Sequence, residues 1–388
     1  MIDRLAIAGY RSIRSAVLRL GSLNLVTGAN GSGKTSLYRA LRLLSDAATD
    51  RFASSLAREG GLSSVLWAGP EVISPEMLKG QVPIQGAVRK NPVSLRLGFT
   101  ASPYSYCFDL GLPVPDDNSM FATDPEMKRE CLWRGTSLEA RNLCVDRNRS
   151  TLRCRPIKGT WKDIDRPLTP QKSMLTEFAD PFTAPELVVL RETLASWRFY
   201  DSFRTDTEAP ARRTSLCTMT PVMSHDGSDL AAAVQTIFEI GDAEGFSQSI
   251  EDAFPGSEVL VTRDGSGLRL SLEQPGMLRE LSASELSDGT LRYLLLATAL
   301  FSPRPPELLV LNEPEASLHP DLIRALGRLI LSAAERSQII VVSHDSRLTE
   351  MLQSDPICVR IRLQKRLGET IVEGADLISQ RGWKWPSR

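Results

Sequence analysis

The sequence predicts an α/β fold: a parallel-sheet core carrying an inserted, mostly-β lobe. Three observations predict it. Apolar runs of strand length alternate with helical periodicities beyond residue 225, a strand, a glycine-rich loop and a helix follow one another within the first 45 residues, and 15 of the 24 prolines fall between Pro70 and Pro221. Strands alternating with helices indicate a parallel sheet covered by its crossovers. The proline-rich texture indicates short strands and loops.

Taken in order, RLAIAGY and AVLRL read as two short strands and SLNLVTG as a third, whose apolar run stops at glycine. In GANGSGKTSLYRALRLL, Leu37, Leu41 and Leu44 recur at helical spacing. VSLRLGF and YSYCFDL alternate like strands of the middle region. A helix is expected from near Ser228, then a strand at LRLSLE, a loop and helix at LSDGTLRYLLLATALF, and a buried strand at ELLVLNE. HPDLIRALGRLILSAAE reads as a helix and QIIVVSHD as another buried strand. The expected organisation is a head formed by residues 1–65 and 225–388, with residues 66–224 inserted as the lobe. No heptad run, internal repeat or low-complexity tract interrupts it.

With 388 residues, 42% of them apolar, and a formal net charge of −1, the chain is long enough for its own core and has no global attraction for polyanions. Six cysteines (Cys107, Cys131, Cys144, Cys154, Cys217, Cys358) form no CxxC pair and share no metal-ligand spacing with His225, His319 and His344. Reduced structural thiols are expected. The longest apolar run, near Leu294 to Phe301, is far short of the ~20 residues that span a bilayer, and MIDRLAIAGYRS lacks a signal-peptide core. The expected setting is the cytoplasm, without a membrane.

Gly28 to Thr35 reads GANGSGKT and matches GxxxxGK[ST], with a strand before it and a helix after it. Its glycines let backbone N–H groups curl around phosphate oxygens, Lys34 reaches the outer phosphates, and the Thr35 hydroxyl ligates magnesium. Asn30, Gly31, Ser32, Gly33 and Ser36 complete the expected lining for ATP. At the end of LLVLNE, Glu313 is placed to deprotonate an attacking water. Asn312 precedes it where an aspartate would serve magnesium better, because an amide brings an oxygen but no charge. His344, after IIVVS, is placed to hydrogen-bond a terminal phosphate. Leu286-Ser287-Asp288-Gly289-Thr290 leads into a helix and reads equally as an anion site and as a Ser/Asp helix cap.

The order of these four elements resembles the motif order of ABC-type ATPases, in particular the RecF-like and SMC-like branch, over residues 1–50 and 280–350. The resemblance implies an ABC-type P-loop head that forms a homodimer around two composite ATP sites. Ser287, Asp288 and Gly289 would then face the γ-phosphate of the partner's nucleotide, Glu313 would be the catalytic base, Ala316 to His319 a dimer-contacting loop, and His344 the switch. Two residues depart from the pattern: Asp288 stands where many relatives have glycine and Asn312 where most have aspartate, so slow turnover is expected. No glutamine coupling lobe to nucleotide stands out; Gln81 and Gln85 are the candidates.

The resemblance also implies DNA as cargo, in repair or genome maintenance. Between Arg141 and Arg166 lie Arg141, Arg147, Arg149, Arg153, Arg155, Lys158, Lys162 and Arg166, against Asp146, Asp163 and Asp165, with Trp161 among them. Such a patch suits phosphates and base stacking, but alternation in TLRCRPIKG and in RIRLQKR reads first as basic side chains on a solvated face. Arg11 and Arg14 read as either ligand contacts or ordinary surface residues, and Tyr200 and Phe203 as lobe core. The alternatives are a non-hydrolysing ATP-sensing switch and the motor subunit of a defence system with a separate protein effector. A transporter subunit is disfavoured.

Overall fold

The computed structural model describes residues 1–79, 81–83, 85, 89, 93–114, 121, 123–156, 159–178, 180–201, 203–374 and 383–387. Two compact units are resolved: residues 1–21, 28–196 and 361–388 form the first, and residues 22–27 and 197–360 the second.

In the first unit β1 (Ile2–Tyr10) and β2 (Ile13–Arg19) pair as a hairpin, with Tyr10 opposite Ile13. The strand β3 (Leu23–Gly28) ends in this unit at Gly28, before α1 (Lys34–Asp46). Leu37, Leu41 and Leu44 are buried on α1, as their spacing requires. The short helices α2 (Phe52–Arg58), α3 (Leu62–Val65) and α4 (Pro75–Leu78) follow. A meander then runs through β4 (Leu95–Ala101), β5 (Tyr104–Gly111), β6 (Glu126–Arg134), β7 (Leu143–Asn148), β8 (Thr151–Cys154) and β9 (Lys162–Ile164). Their order is β2-β1-β4-β5-β6-β7-β8-β9, because β4 docks antiparallel on β1 with Leu97 opposite Ile7. The proline-rich segment therefore extends the sheet of the N-terminal hairpin. Two-residue connections join β4 to β5 and β7 to β8, which dictates antiparallel pairing there.

Two short helices, α5 (Met174–Glu177) and α6 (Pro185–Ser196), close this part of the chain. The expectation of strands and loops here missed α6. Leu187, Leu190 and Leu194 are buried on one side of it, and Pro185 is its first residue, where a missing N–H costs nothing. The Ser45 hydroxyl donates to the Leu194 carbonyl at 2.8 Å, tying α6 to α1. Within the meander, Arg147 and Glu130 form a fully buried ion pair at 3.2 Å. Arg147 also donates to the carbonyls of Arg149, Thr169 and Lys172, while Glu130 accepts from Tyr106, Ser173 and the Met174 N–H. These extra bonds are what make a buried pair tolerable.

The second unit contains β10 (Arg198–Tyr200), β11 (Ser215–Leu216), α7 (Leu230–Ile240), α8 (Ala243–Ala253), β12 (Glu258–Asp264), β13 (Gly267–Glu273), β14 (Leu281–Ser282), α9 (Asp288–Leu300), β15 (Leu308–Asn312), α10 (Leu322–Ala333), β16 (Gln338–Val342) and α11 (Ser346–Gln353). Its parallel sheet runs β10-β15-β16-β3, with Tyr200 beside Leu311, Asn312 beside Val342 and Val341 beside Leu25. Both faces are covered, which explains the unbroken apolar runs of β15 and β16. Because β10 joins this sheet, residues 197–224 belong here. Tyr200 and Phe203 are core residues, but of the second unit rather than of the lobe. The strand β17 (Cys358–Arg366) begins in the second unit and ends in the first, where β18 (Glu369–Val372) pairs with it antiparallel, Val372 opposite Leu363. Among the described residues no helix is long and apolar enough to cross a membrane.

Candidate nucleotide site

Strand β3 delivers the chain to the loop Gly28 to Thr35, and α1 begins at Lys34. Gly31 (φ 76°) and Gly33 (φ 109°) adopt the left-handed backbone that side chains disfavour. Gly33 caps α1 without a side-chain hydrogen bond, so the first-turn N–H groups have no side-chain cap, as an anion site requires. The Lys34 ammonium donates to the carbonyls of Gly28 at 2.6 Å and Ala29 at 3.2 Å. Asn30, Gly31 and Thr35 are exposed, while Ser32, Gly33, Lys34 and Ser36 are buried. The Ser32 hydroxyl is buried without a hydrogen-bond partner. A buried orphan hydroxyl, a lysine on the loop and an uncapped helix start fit an oxygen-rich anion such as the phosphates of ATP.

In the second unit, Glu313 follows the last residue of β15 with φ 48°, a conformation costing on the order of 1 kcal/mol or more for a non-glycine residue. Three hydrogen bonds hold it: its N–H donates to Val342 O at 2.8 Å, and its carbonyl accepts from Ala316 N–H at 3.1 Å and Arg292 Nη2 at 3.0 Å. Burial pushes the Arg292 pKa down, and Glu315 and Glu313 partly oppose it. His344 Nδ1 lies 3.5 Å from Glu313 Oε1 and 3.7 Å from Glu315 Oε1. Glu313 and His344, separated by 31 positions, are thus brought together because β15 and β16 are parallel neighbours ending at the same level. Glu315 is the residue that sequence reasoning passed over. Its buried Oε1 accepts from the Ser343 hydroxyl at 2.7 Å and from the N–H groups of His344 and Asp345 at 3.2 and 3.3 Å. It fixes the backbone that carries His344.

At α9, Ser287 is the N-cap, accepting from Thr290 N–H at 3.2 Å, and Asp288 is the first helical residue. The alternative reading of this stretch, a helix cap, is what the geometry presents; capping and anion binding use the same helix end. Asp288 Oδ1 accepts from Arg212 Nη2 at 2.9 Å. The same guanidinium, only 7% exposed, donates to the carbonyls of Ala283, Ser284 and Leu286 just ahead of the motif. A Cβ on Gly289 would approach the Ser317 carbonyl to 3.1 Å, so glycine here allows close passage of the Ala316 to His319 loop. Ser317 itself has φ 63°.

The family described as "AAA domain, putative AbiEii toxin, Type IV TA system" matches residues 23–350. The chain belongs to this family. It carries an AAA-type P-loop ATPase domain. The head of an SMC protein, solved bound to the C-winged helix domain of ScpA, superposes on this P-loop ATPase with a TM-score of 0.51 at 14% identity, covering 98% of this chain and 99% of that one. An SMC head domain from Thermotoga maritima gives a TM-score of 0.46 at 16% identity over 97% and 99% of the two chains. The glutathione/L-cysteine transport system ATP-binding/permease protein CydC of Haemophilus influenzae is 36% identical over 104 residues, 27% of this chain and only 16% of that protein's length.

Of the eight basic residues expected as a nucleic-acid patch of this P-loop ATPase, four have partners within the chain. Arg147 is buried on Glu130, Arg153 pairs with Asp146 at 2.5 Å, and Arg141 pairs with Glu139 at 2.7 Å. The guanidinium carbons of Arg153 and Arg155 lie 4.8 and 5.1 Å from the Trp161 ring centroid. Arg149, Lys162 and Arg166 are exposed, and Lys158 lies outside the described residues. Arg11 pairs with Glu59 and Arg14 with Glu369; Arg360, Arg362, Lys365 and Arg366 are exposed on β17, and Gln81 and Gln85 are exposed.

Proposed function

We propose that the chain binds ATP and magnesium on the Gly28 to Ser36 loop and hydrolyses ATP slowly, with Glu313 as general base and His344 as the group that senses the terminal phosphate. Lys34 would offset charge on the outer phosphates. Thr35 would ligate the metal, and Asn312 would offer it a neutral oxygen. Two copies would close head to tail, with Ser287, Asp288 and Gly289 of one facing the nucleotide of the other, and hydrolysis would reopen them. The observation that carries the reading is Glu313: a carboxylate held in a left-handed backbone by three hydrogen bonds, 3.5 Å from His344. Such strain is retained where the geometry is used.

The resemblance supplies DNA as cargo, in repair or genome maintenance. The family description favours a second reading, a role in a toxin–antitoxin or other defence setting with a separate protein partner. Steady-state ATP hydrolysis by the wild type and Glu313→Gln, with and without single- and double-stranded DNA, tests these readings, with light scattering to follow assembly. The wild type is expected to turn over, and Glu313→Gln to lose roughly 100-fold or more while accumulating as an ATP-bound dimer. Stimulation by DNA supports the first cargo. A fixed copurifying protein, with growth arrest on expression that requires Glu313, supports the second. If neither protein hydrolyses ATP yet both bind it, the chain is a nucleotide sensor.

A further inference from the structure

One buried hydroxyl of the C-terminal strand β18 touches the phosphate loop. Thr370 is 2% exposed, and its Oγ1 donates to the Ser32 carbonyl at 2.8 Å. Ser12 Oγ lies 2.7 Å from the same Thr370 oxygen. A hydroxyl has one proton to give; since that of Thr370 goes to Ser32, Ser12 is the donor to Thr370. The backbones are tied as well: Thr370 N–H donates to Ser12 O at 2.7 Å, and beside it Arg14 Nε meets Glu369 Oε1 at 2.9 Å. The turn between β1 and β2, the strand β18 and the phosphate loop thus share one hydrogen-bonded chain within the first unit.

A trans peptide holds its C=O and its N–H on opposite sides. Fixing the Ser32 carbonyl on Thr370 therefore turns the Gly33 N–H the other way, away from β18. Phosphate loops work by presenting backbone N–H groups to the ligand, and an unanchored glycine-flanked peptide is free to flip. Gly33 and Thr370 are also complementary in shape: a Cβ on Gly33 would lie 2.2 Å from Thr370 Oγ1 and 2.9 Å from its Cγ2. The threonine fills the space that the glycine leaves open.

We propose that Thr370, outside the residues 23–350 that the family match covers, is a positioning residue for nucleotide, orienting the Ser32–Gly33 peptide of the phosphate loop. The inference rests on the reading of that loop as the nucleotide site. Ser12 supports it by orienting the Thr370 hydroxyl.

The test is calorimetric titration of the full chain with ATP and magnesium, for the wild type, Thr370→Val, Thr370→Ser, Ser12→Ala and Lys34→Ala, with the melting temperature of each nucleotide-free protein recorded. Thr370→Val keeps the shape and loses the proton. It is expected to weaken ATP binding about threefold to tenfold, the range of one hydrogen bond. Thr370→Ser keeps the hydroxyl and is expected to bind within about twofold of wild type. A role confined to stability would lower melting temperatures and leave affinity untouched. Wild-type affinity in Thr370→Val overturns the proposal; if that variant does not fold, wild-type affinity in Ser12→Ala overturns it instead. Loss of ATP binding in Lys34→Ala alone refutes the Thr370 inference and leaves the loop reading standing, whereas wild-type binding by Lys34→Ala removes both.

Discussion

Asp288 places an acid at the first position of α9, one residue after its N-cap. The helix dipole favours an acid there, and Arg212 supplies a counter-charge at 2.9 Å. Arg212 contributes mainly through the loop carbonyls it satisfies, because Asp288 is 62% exposed and solvent screens the pair. Arg212→Ala is therefore expected to cost about 2–3 kcal/mol, from carbonyls left unpaired. Asp288→Asn should cost under about 1 kcal/mol, and a double-mutant cycle by urea unfolding should return a coupling no larger than that. Glu285, in the same loop, is held down to a pKa of about 2, first by the Arg279 guanidinium and then by the Ser282 N–H and hydroxyl. A depressed carboxylate contributes stability above its unfolded value near 4.5 and loses it as pH falls toward 2. The urea midpoint of Glu285→Gln should accordingly lie below wild type at pH 7 and converge with it on acidification. The gap should be small, since the group is exposed and solvent screens it.

At the scale of elements, the phosphate loop and the motif strands were legible because their chemistry is local: fixed residue types at fixed spacing, between a strand and a helix. Helix α6 was not legible from proline counting, although Leu187, Leu190 and Leu194 carry its period. Proline breaks a helix interior but not its first residue, and Pro185 is the first. β10 was missed for a different reason. Three residues, Arg198 to Tyr200, carry too little pattern, and only pairing with β15 makes them a strand. The meander holds the clearest energetic test of an element. Glu130→Gln leaves Arg147 charged and buried without its carboxylate, and is expected to destabilise by about 3–5 kcal/mol. Replacing both residues by apolar ones of similar size should cost less, because no buried charge is then stranded. Chemical denaturation of the two variants separates these outcomes.

For the whole molecule, a ligand that binds only the folded chain raises its stability by mass action. ATP with magnesium at a hundredfold excess over its dissociation constant should add about 2.7 kcal/mol, and Lys34→Ala should abolish the increment; calorimetric melting checks both. The sequence by itself determined the fold class and the order of the four motifs, and it marked Lys34, Glu313 and His344 as candidates, because each of these is written in neighbouring residues. The tertiary structure decided what surrounds them. Thr370 braces Ser32 across 338 positions, Arg212 reaches Asp288 across 76, and Glu315 sets the backbone of His344 across 29. It also decided that the proline-rich segment extends the sheet of β1 and β2, and that Arg147 is a buried structural cation. Pattern along a chain reports periodicity and local chemistry. A hydrogen bond between residues hundreds of positions apart leaves no periodic trace, and exists only once strand pairing has brought its two ends together.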